Sequence, residues 1–332
     1  MSTNRPGLTS LEWRPSQQST NGVIVGQVIL SFIITAFLSL LLSLLAILSD
    51  RRPPSLYTTI VRKLLAAYSD QQLATGLGIQ SVALVRATRT VPYHFFLVWC
   101  LSLLSTAVHN ATLLALVRDF RRDWVLRWLR QGLMGLNLAL GCVCGIFVLR
   151  GVARGMEQST LPVSCVWDPS APAAEGPGAG AMGASFVGTI AAIAGNVLVF
   201  AAATWYLHRR STRRWHRLVQ FVGLALMAAS AVGAAVRVVL LSQAFGTPSV
   251  PLEDRGETVW SFGQLLGVLF LALPVVSVIE IARGEVKVKP PLSDDEHDLL
   301  DDKLPLQQRP PRIYDEFQPN PFFGSETNLF KK

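Results

Sequence analysis

The chain has 332 residues, of which 50% are hydrophobic and 16% charged, and its mean hydropathy is +0.38. That balance excludes an ordinary soluble domain and points to a polytopic membrane protein. The formal net charge is +8, yet Lys and Arg gather in short loops between apolar blocks, so topology accounts for them and no nucleic-acid partner is expected.

Residues 1–22 are polar and are expected to form a disordered extracellular or lumenal N-terminus. The first apolar block, about 23–49, exceeds the ~20 residues that cross about 30 Å of hydrocarbon as a helix. It is too long for a signal-peptide core and has no convincing small-x-small cleavage site, so it reads as a retained span. Arg51–Tyr68 opens with RRPP and continues as a basic amphipathic stretch, expected to lie on the inner leaflet.

The next stretch, YSDQQLATGLGIQS at 68–81, decides the number of spans. Its continuous apolar core, Leu73–Val85, would rise only about 20 Å as a helix. Loop charge nevertheless favours a crossing at about 70–88. With the N-terminus outside, the inner loops then hold Arg51, Arg52, Arg62 and Lys63, the Arg118–Arg130 cluster and Arg209–Arg217, and Arg283, Lys287 and Lys289 follow the last span. Without that crossing, Arg51 through Arg89 would all lie outside in one loop. Ser69 and Gln72 have the spacing of a capping box, with Asp70 beside the positive helix start. Gln72, Thr75, Gly76, Ile79, Gln80 and Ala83 share a small or polar face, which predicts a helix packed inside the bundle.

Further blocks at about 93–117, 126–149, 184–207, 218–242 and 259–282 complete the expectation: an all-α membrane bundle, 23–282, of seven transmembrane helices, with the N-terminus out and the C-terminus in. None of the blocks shows the two-residue alternation of a membrane barrel. The 150–183 loop contains DPSAPAAEGPGAGAMG and reads as a flexible external connection. Residues 283–332 read as a disordered cytosolic tail with three short patterns of sorting signals. These are an acidic dileucine (Asp295, Leu299, Leu300), a tyrosine signal (Tyr314, Phe317) and Asn320-Pro321-Phe322. They imply trafficking adaptors as partners, and plasma, endosomal or vacuolar membranes rather than endoplasmic reticulum.

Polar groups inside spans are the functional candidates, because their burial is costly. They are Asp70, Gln72, Gln80, His109, Asn137, Asn196 and Arg237. Asn137 and Asn196 fall near mid-span and are placed to pair across helices, while Arg237 is placed to snorkel to headgroups. Packing and capping form one reading of this set, and the lining of a cavity for a small hydrophobic ligand forms the other. Cys142 and Cys144 lack partner ligands, and a lone His109 makes no metal site, so neither metal nor cofactor is expected. A bridge from Cys165 to Cys100 is disfavoured because Cys100 lies about two helical turns below the surface. No Asp or Glu falls in the middle of a span, which weighs against embedded acid–base chemistry.

At SDQQLATGLGIQ and YHFFLVWCLSLLSTAVHNATLLAL the chain resembles a group of fungal multi-span membrane proteins. The matching positions are Ser69, Asp70, Gln71, Gln72, Leu73, Thr75, Gly76, Tyr93, His94, His109, Thr112 and Leu113. Asn110 and the Ala/Gly-rich external loop depart from that pattern. The resemblance implies a shared topology over about 55–280 and a fungal origin, with no assigned activity. Seven spans also match the topology of G-protein-coupled receptors. However, Arg118–Phe120 reverses the acid–arginine order usual there, so that likeness is one of topology alone. The expected function is a non-catalytic receptor-like or interaction protein. The alternative is an embedded enzyme, such as a cyclase using Asp70 as its acid, or an accessory protein of a lipid or secondary-metabolite pathway. A channel or carrier is a lesser alternative.

Overall fold

The computed structural model describes residues 26–50, 55–122, 124–156, 161–168, 179–208 and 213–242, with Pro274, Val276, Ile279 and Arg283. The described residues are helical, without strands. The helices are α1 (Gly26–Ser49), α2 (Leu56–Val85), α3 (Pro92–Ala115), α4 (Val117–Arg122), α5 (Trp124–Ala153), α6 (Ala179–His208) and α7 (Arg213–Leu241), with a 3-10 turn at Val163–Trp167. Among the described residues, five segments are long and apolar enough to cross a membrane: Ile29–Ser49, Pro92–Ala115, Arg127–Ala153, Phe186–His208 and Arg217–Leu241. The N-terminal 1–22 and the tail signals lie outside the described residues. So does the seventh block, apart from Pro274, Val276 and Ile279, which are helical.

Contacts at the two ends of the bundle fix helix direction. At one end, Arg62 of α2 meets Asp50 after α1 and Asp119 of α4, each at 2.8 Å. There too, Gln131 early in α5 donates to Thr204 late in α6, and Gln220 early in α7 donates to the Leu114 carbonyl late in α3. At the other end, the N–H groups of Val163 and Ser164, beyond α5, donate to the carbonyls of Thr90 and Ala87. The Tyr93 hydroxyl at the start of α3 donates to the Leu241 carbonyl at the end of α7. The six long helices therefore alternate in direction, and α2 runs the length of the bundle.

Helix α2 departs from expectation at its start. Ser55, in extended conformation (φ −128°, ψ 160°), accepts the Thr58 N–H, and the Thr58 hydroxyl accepts the Ser55 N–H at 3.0 Å. This reciprocal cap starts the helix fourteen residues before Asp70. The box expected at Ser69–Gln72 does not form, because Ser69 faces His109 and the Gln72 amide faces α1. The in-plane stretch is likewise corrected: 56–68 continue the same helix, with Val61, Leu65 and Tyr68 buried. Helix α2 is not among those five apolar segments. From Leu64 to Val85, 22 residues carry one formal charge, Asp70, and rise about 33 Å, enough for about 30 Å of hydrocarbon.

Helix α3 is the axis, packed by α1, α2, α5, α6 and α7. Pro92 starts it at a position where a missing N–H costs nothing. Its apolar window is wholly buried and has a mean hydropathy of 1.5, against 2.0 to 2.6 for the four outer apolar segments. That order is the physical signature of a bundle in lipid. Lipid tails reward no burial of apolar surface, so side chains needing hydrogen bonds collect on the inner helix and the outer ones stay greasy.

Beyond α5, Gly155 takes φ 65°, a left-handed turn that favours glycine. The chain returns as the 3-10 turn with Val163 and Val166 buried, while Arg150 stacks over Trp167 at 4.1 Å. The loop read as a flexible connection is therefore structured at 161–168, and α6 already begins within its Ala/Gly run, at Ala179. Cys100, Cys142, Cys144 and Cys165 are all free thiols.

Candidate functional site

The polar residues of α2 repeat every turn, Gln72, Gly76 and Gln80, and so share one face. They meet a matching face of α3 bearing Ser102, Ser105, Thr106 and His109. The Ser105 hydroxyl donates to the Gln72 carbonyl at 3.0 Å, and its oxygen lies 3.0 Å from His109 Nε2. Since Ser105 has one proton to give, the ring supplies the other: Nε2–H donates to Ser105, and Nδ1 accepts from Ser69 across 3.3 Å. The tautomer is assigned from these partners. The Gln72 amide donates to the Phe32 carbonyl and to the Thr35 hydroxyl, tying α2 to α1.

A second chain of bonds leads across to α5. Gln80 Nε2 donates to Asn137 Oδ1 at 2.8 Å, Asn137 Nδ2 donates to Thr106 Oγ1 at 3.3 Å, and Thr106 donates to the Ser102 carbonyl at 2.8 Å. It ends on a backbone oxygen, the Ser102 carbonyl. Two glycines admit the polar groups between the helices. A Cβ at Gly76 would lie 2.5 Å from Ser105 Oγ, and one at Gly141 would lie 2.7 Å from Ser102 Oγ. Gln72, Gln80, His109 and Asn137 are all 2% exposed or less, so the seam is closed.

The structure separates the other candidates from this seam. Asp70 pairs with Arg130 of α5 at 2.5 Å, with its side chain 43% exposed. Asn196 does not meet Asn137, because α3 stands between them. His109 and its neighbour Asn110 point about 100° apart on a helix, the first toward α2 and the second toward α6 and α7. Asn110 Nδ2 donates to the Asn196 carbonyl and to Met227 Sδ, each at 3.2 Å. Asn196 Nδ2 in turn donates to the Ala192 carbonyl at 2.8 Å and to Ser230 Oγ at 3.3 Å.

Asn196 also borders a cavity. Helices α6 and α7 each pack on α3 more closely than on one another. The cleft between them has a volume of about 330 Å³ and a floor of Trp99, Cys100 and Leu103. That lies at the low end of the ~300–1,000 Å³ usual for small-molecule sites. Asn196 and Ser230 border it along one stretch of its walls, and Arg237 stands on its α7 wall toward the end of that helix. The Arg237 guanidinium sits 6.0 Å from the centroid of the Phe96 ring. Along the walls, a Cβ at Gly188, Gly195 or Gly233 would meet nothing within 4 Å.

Sequence reasoning missed Ser105 and Thr106 as members of these networks. Their signal was the run of hydroxyl, imidazole and amide groups along an otherwise apolar helix, with Ser102, Ser105 and His109 at spacings of three and four. The chain matches no protein-family model, no curated protein and no solved structure.

Proposed function

We propose that this chain is a non-catalytic, receptor-like membrane protein that takes a small hydrophobic ligand into the cleft over Trp99, Cys100 and Leu103. The observation carrying this reading is the division of the interior. The polar seam of α2, α3 and α5 is closed, with Gln72 Oε1, Gln80 Oε1 and Ser102 Oγ left without a partner among the described residues, whereas the small-residue cleft of α3, α6 and α7 is open. In the enzyme reading Asp70 is the acid. Asp70 is bound to Arg130 and does not border the cleft, and the described residues lining the cleft include no Asp, Glu or His. Seven spans with the N-terminus outside fit the arginine-rich end formed by Arg62, Arg118 and Arg130, which becomes the cytosolic end.

The test is ligand-dependent thermal stabilisation of the full chain in detergent, against a panel of apolar and amphiphilic compounds. A ligand present at 100 times its Kd adds about 2.7 kcal/mol of stability. Gly195→Leu, which fills open space, should abolish that gain and leave the unliganded Tm in place. A ligand that stabilises both forms equally would contradict the assignment.

A further inference from the structure

The cleft has polarity along its length, and we infer that its ligand is a lipid with an anionic headgroup, held with one acyl chain along the cleft and the headgroup on Arg237. This rests on the ligand-binding reading above and specifies its chemistry. From Leu226 to Arg237 the α7 wall runs twelve residues, about 16 Å along the helix axis. Asn196 and Ser230, on the stretch away from Arg237, are bonded within the protein. The two Asn196 side-chain N–H groups are directed at the Ala192 carbonyl and Ser230 Oγ, and its backbone carbonyl receives Asn110. That stretch therefore suits hydrocarbon and not a polar head.

Toward the other end the chemistry reverses. Arg237 is exposed on an apolar helix, four residues before its end at Leu241. Among the described residues no carboxylate lies within 4.0 Å of it, and the Phe96 ring is its neighbour. Arg62 and Arg118 are matched differently, each with an aspartate at 3.2 Å or less. An arginine one helical turn inside a span reaches for the headgroup layer, where phosphate oxygens meet its fork of donors. Among the described residues, a Cβ at Gly188, Gly195 or Gly233 would meet nothing within 4 Å, so these positions leave room for a chain lying beside α6 and α7. Charge thus selects the head, and the absence of side chains admits the tail.

The test uses the full-length protein in mixed micelles, with retained lipid counted by native mass spectrometry. The probes are phosphatidylglycerol and phosphatidylcholine with identical acyl chains. The account expects phosphatidylglycerol to be retained about fivefold better, the factor one basic residue contributes near anionic lipid. Arg237→Gln should bring the ratio to about one, Arg237→Lys should keep most of it, and Gly195→Leu should remove both lipids. Undiminished preference in Arg237→Gln overturns the headgroup assignment. Equal retention of both lipids by the native chain, still blocked by Gly195→Leu, overturns the anionic assignment and leaves the ligand cleft standing. Retention unaffected by Gly195→Leu overturns both. So does a disulfide from Gly233→Cys to a cysteine placed in 259–282 or in a second copy, since that partner would then fill the cleft.

Discussion

Gln80 of α2 donates to Asn137 of α5 at 2.8 Å, joining residues 57 apart in sequence at a point 1% exposed or less. Measured couplings between such groups in membranes average about 0.6 kcal/mol and reach about 1.7. A double-mutant cycle with Gln80→Leu and Asn137→Leu should therefore give a coupling within that range, read from denaturation of the full chain. Strict additivity would show that the bond contributes nothing.

Gly76 and Gly78 lie two residues apart on α2 and make opposite predictions. A Cβ at Gly76 would press on Ser105 Oγ at 2.5 Å and Asn137 Oδ1 at 2.9 Å, whereas one at Gly78 meets nothing within 4 Å. Gly76→Ala should destabilise by about 1–3 kcal/mol through overpacking. Gly78→Ala should be neutral or slightly stabilising, since alanine is the better helix former. Comparing the two melting temperatures checks the placement of the α2–α3–α5 seam.

Arg62 is bound by Asp50 and Asp119 with its side chain 10% exposed, while those partners are 23% and 35% exposed. Replacing it by Met leaves Asp119 without this partner and Asp50 with Arg118 alone at 3.2 Å. The loss should exceed the ~0–1 kcal/mol of an exposed pair and fall short of the ~3–5 of a fully buried one. Arg62→Lys should recover only part, because an ammonium does not reproduce the two-armed fork. Thermal denaturation of the three proteins gives the order.

Asp70 and Arg130 contrast with that network, with side chains 43% and 30% exposed. Asp70→Asn should cost no more than about 1 kcal/mol. It should also leave ligand stabilisation by the cleft unchanged, because Asp70 does not border it. Abolished stabilisation in Asp70→Asn would revive the reading in which this carboxyl acts on a bound molecule.

Five of the apolar blocks were legible in the sequence because a helix crossing lipid needs about 20 apolar residues in a row. The enclosure of α3 was not read from the sequence, although hydroxyl and amide groups that lipid excludes mark the element the others surround. Helix α2 was legible as a helix packed inside the bundle but not in its bounds. Its length comes from neutral and polar residues such as Tyr68, Ser69 and Gln72, whose burial depends on α1 and α3. Which of two caps forms was likewise a tertiary matter, because Ser69 is drawn to His109 and Ser55 is left to start the helix. The partners of Asn137 and Asn196 depend on the side of α3 each helix occupies, which spacing along one helix does not encode. The cleft arises where α6 and α7 part, and no single segment carries that separation.

The passage of α2 through the membrane underlies every assignment of sides and of depth made above. Tyr57→Cys and Thr88→Cys, both at exposed positions beyond the proposed crossing, can be labelled in intact cells by an impermeant maleimide, with the four native cysteines replaced. The account predicts that Cys at 88 reacts at once and that Cys at 57 reacts only after permeabilisation. Equal reaction at both positions in intact cells would contradict it.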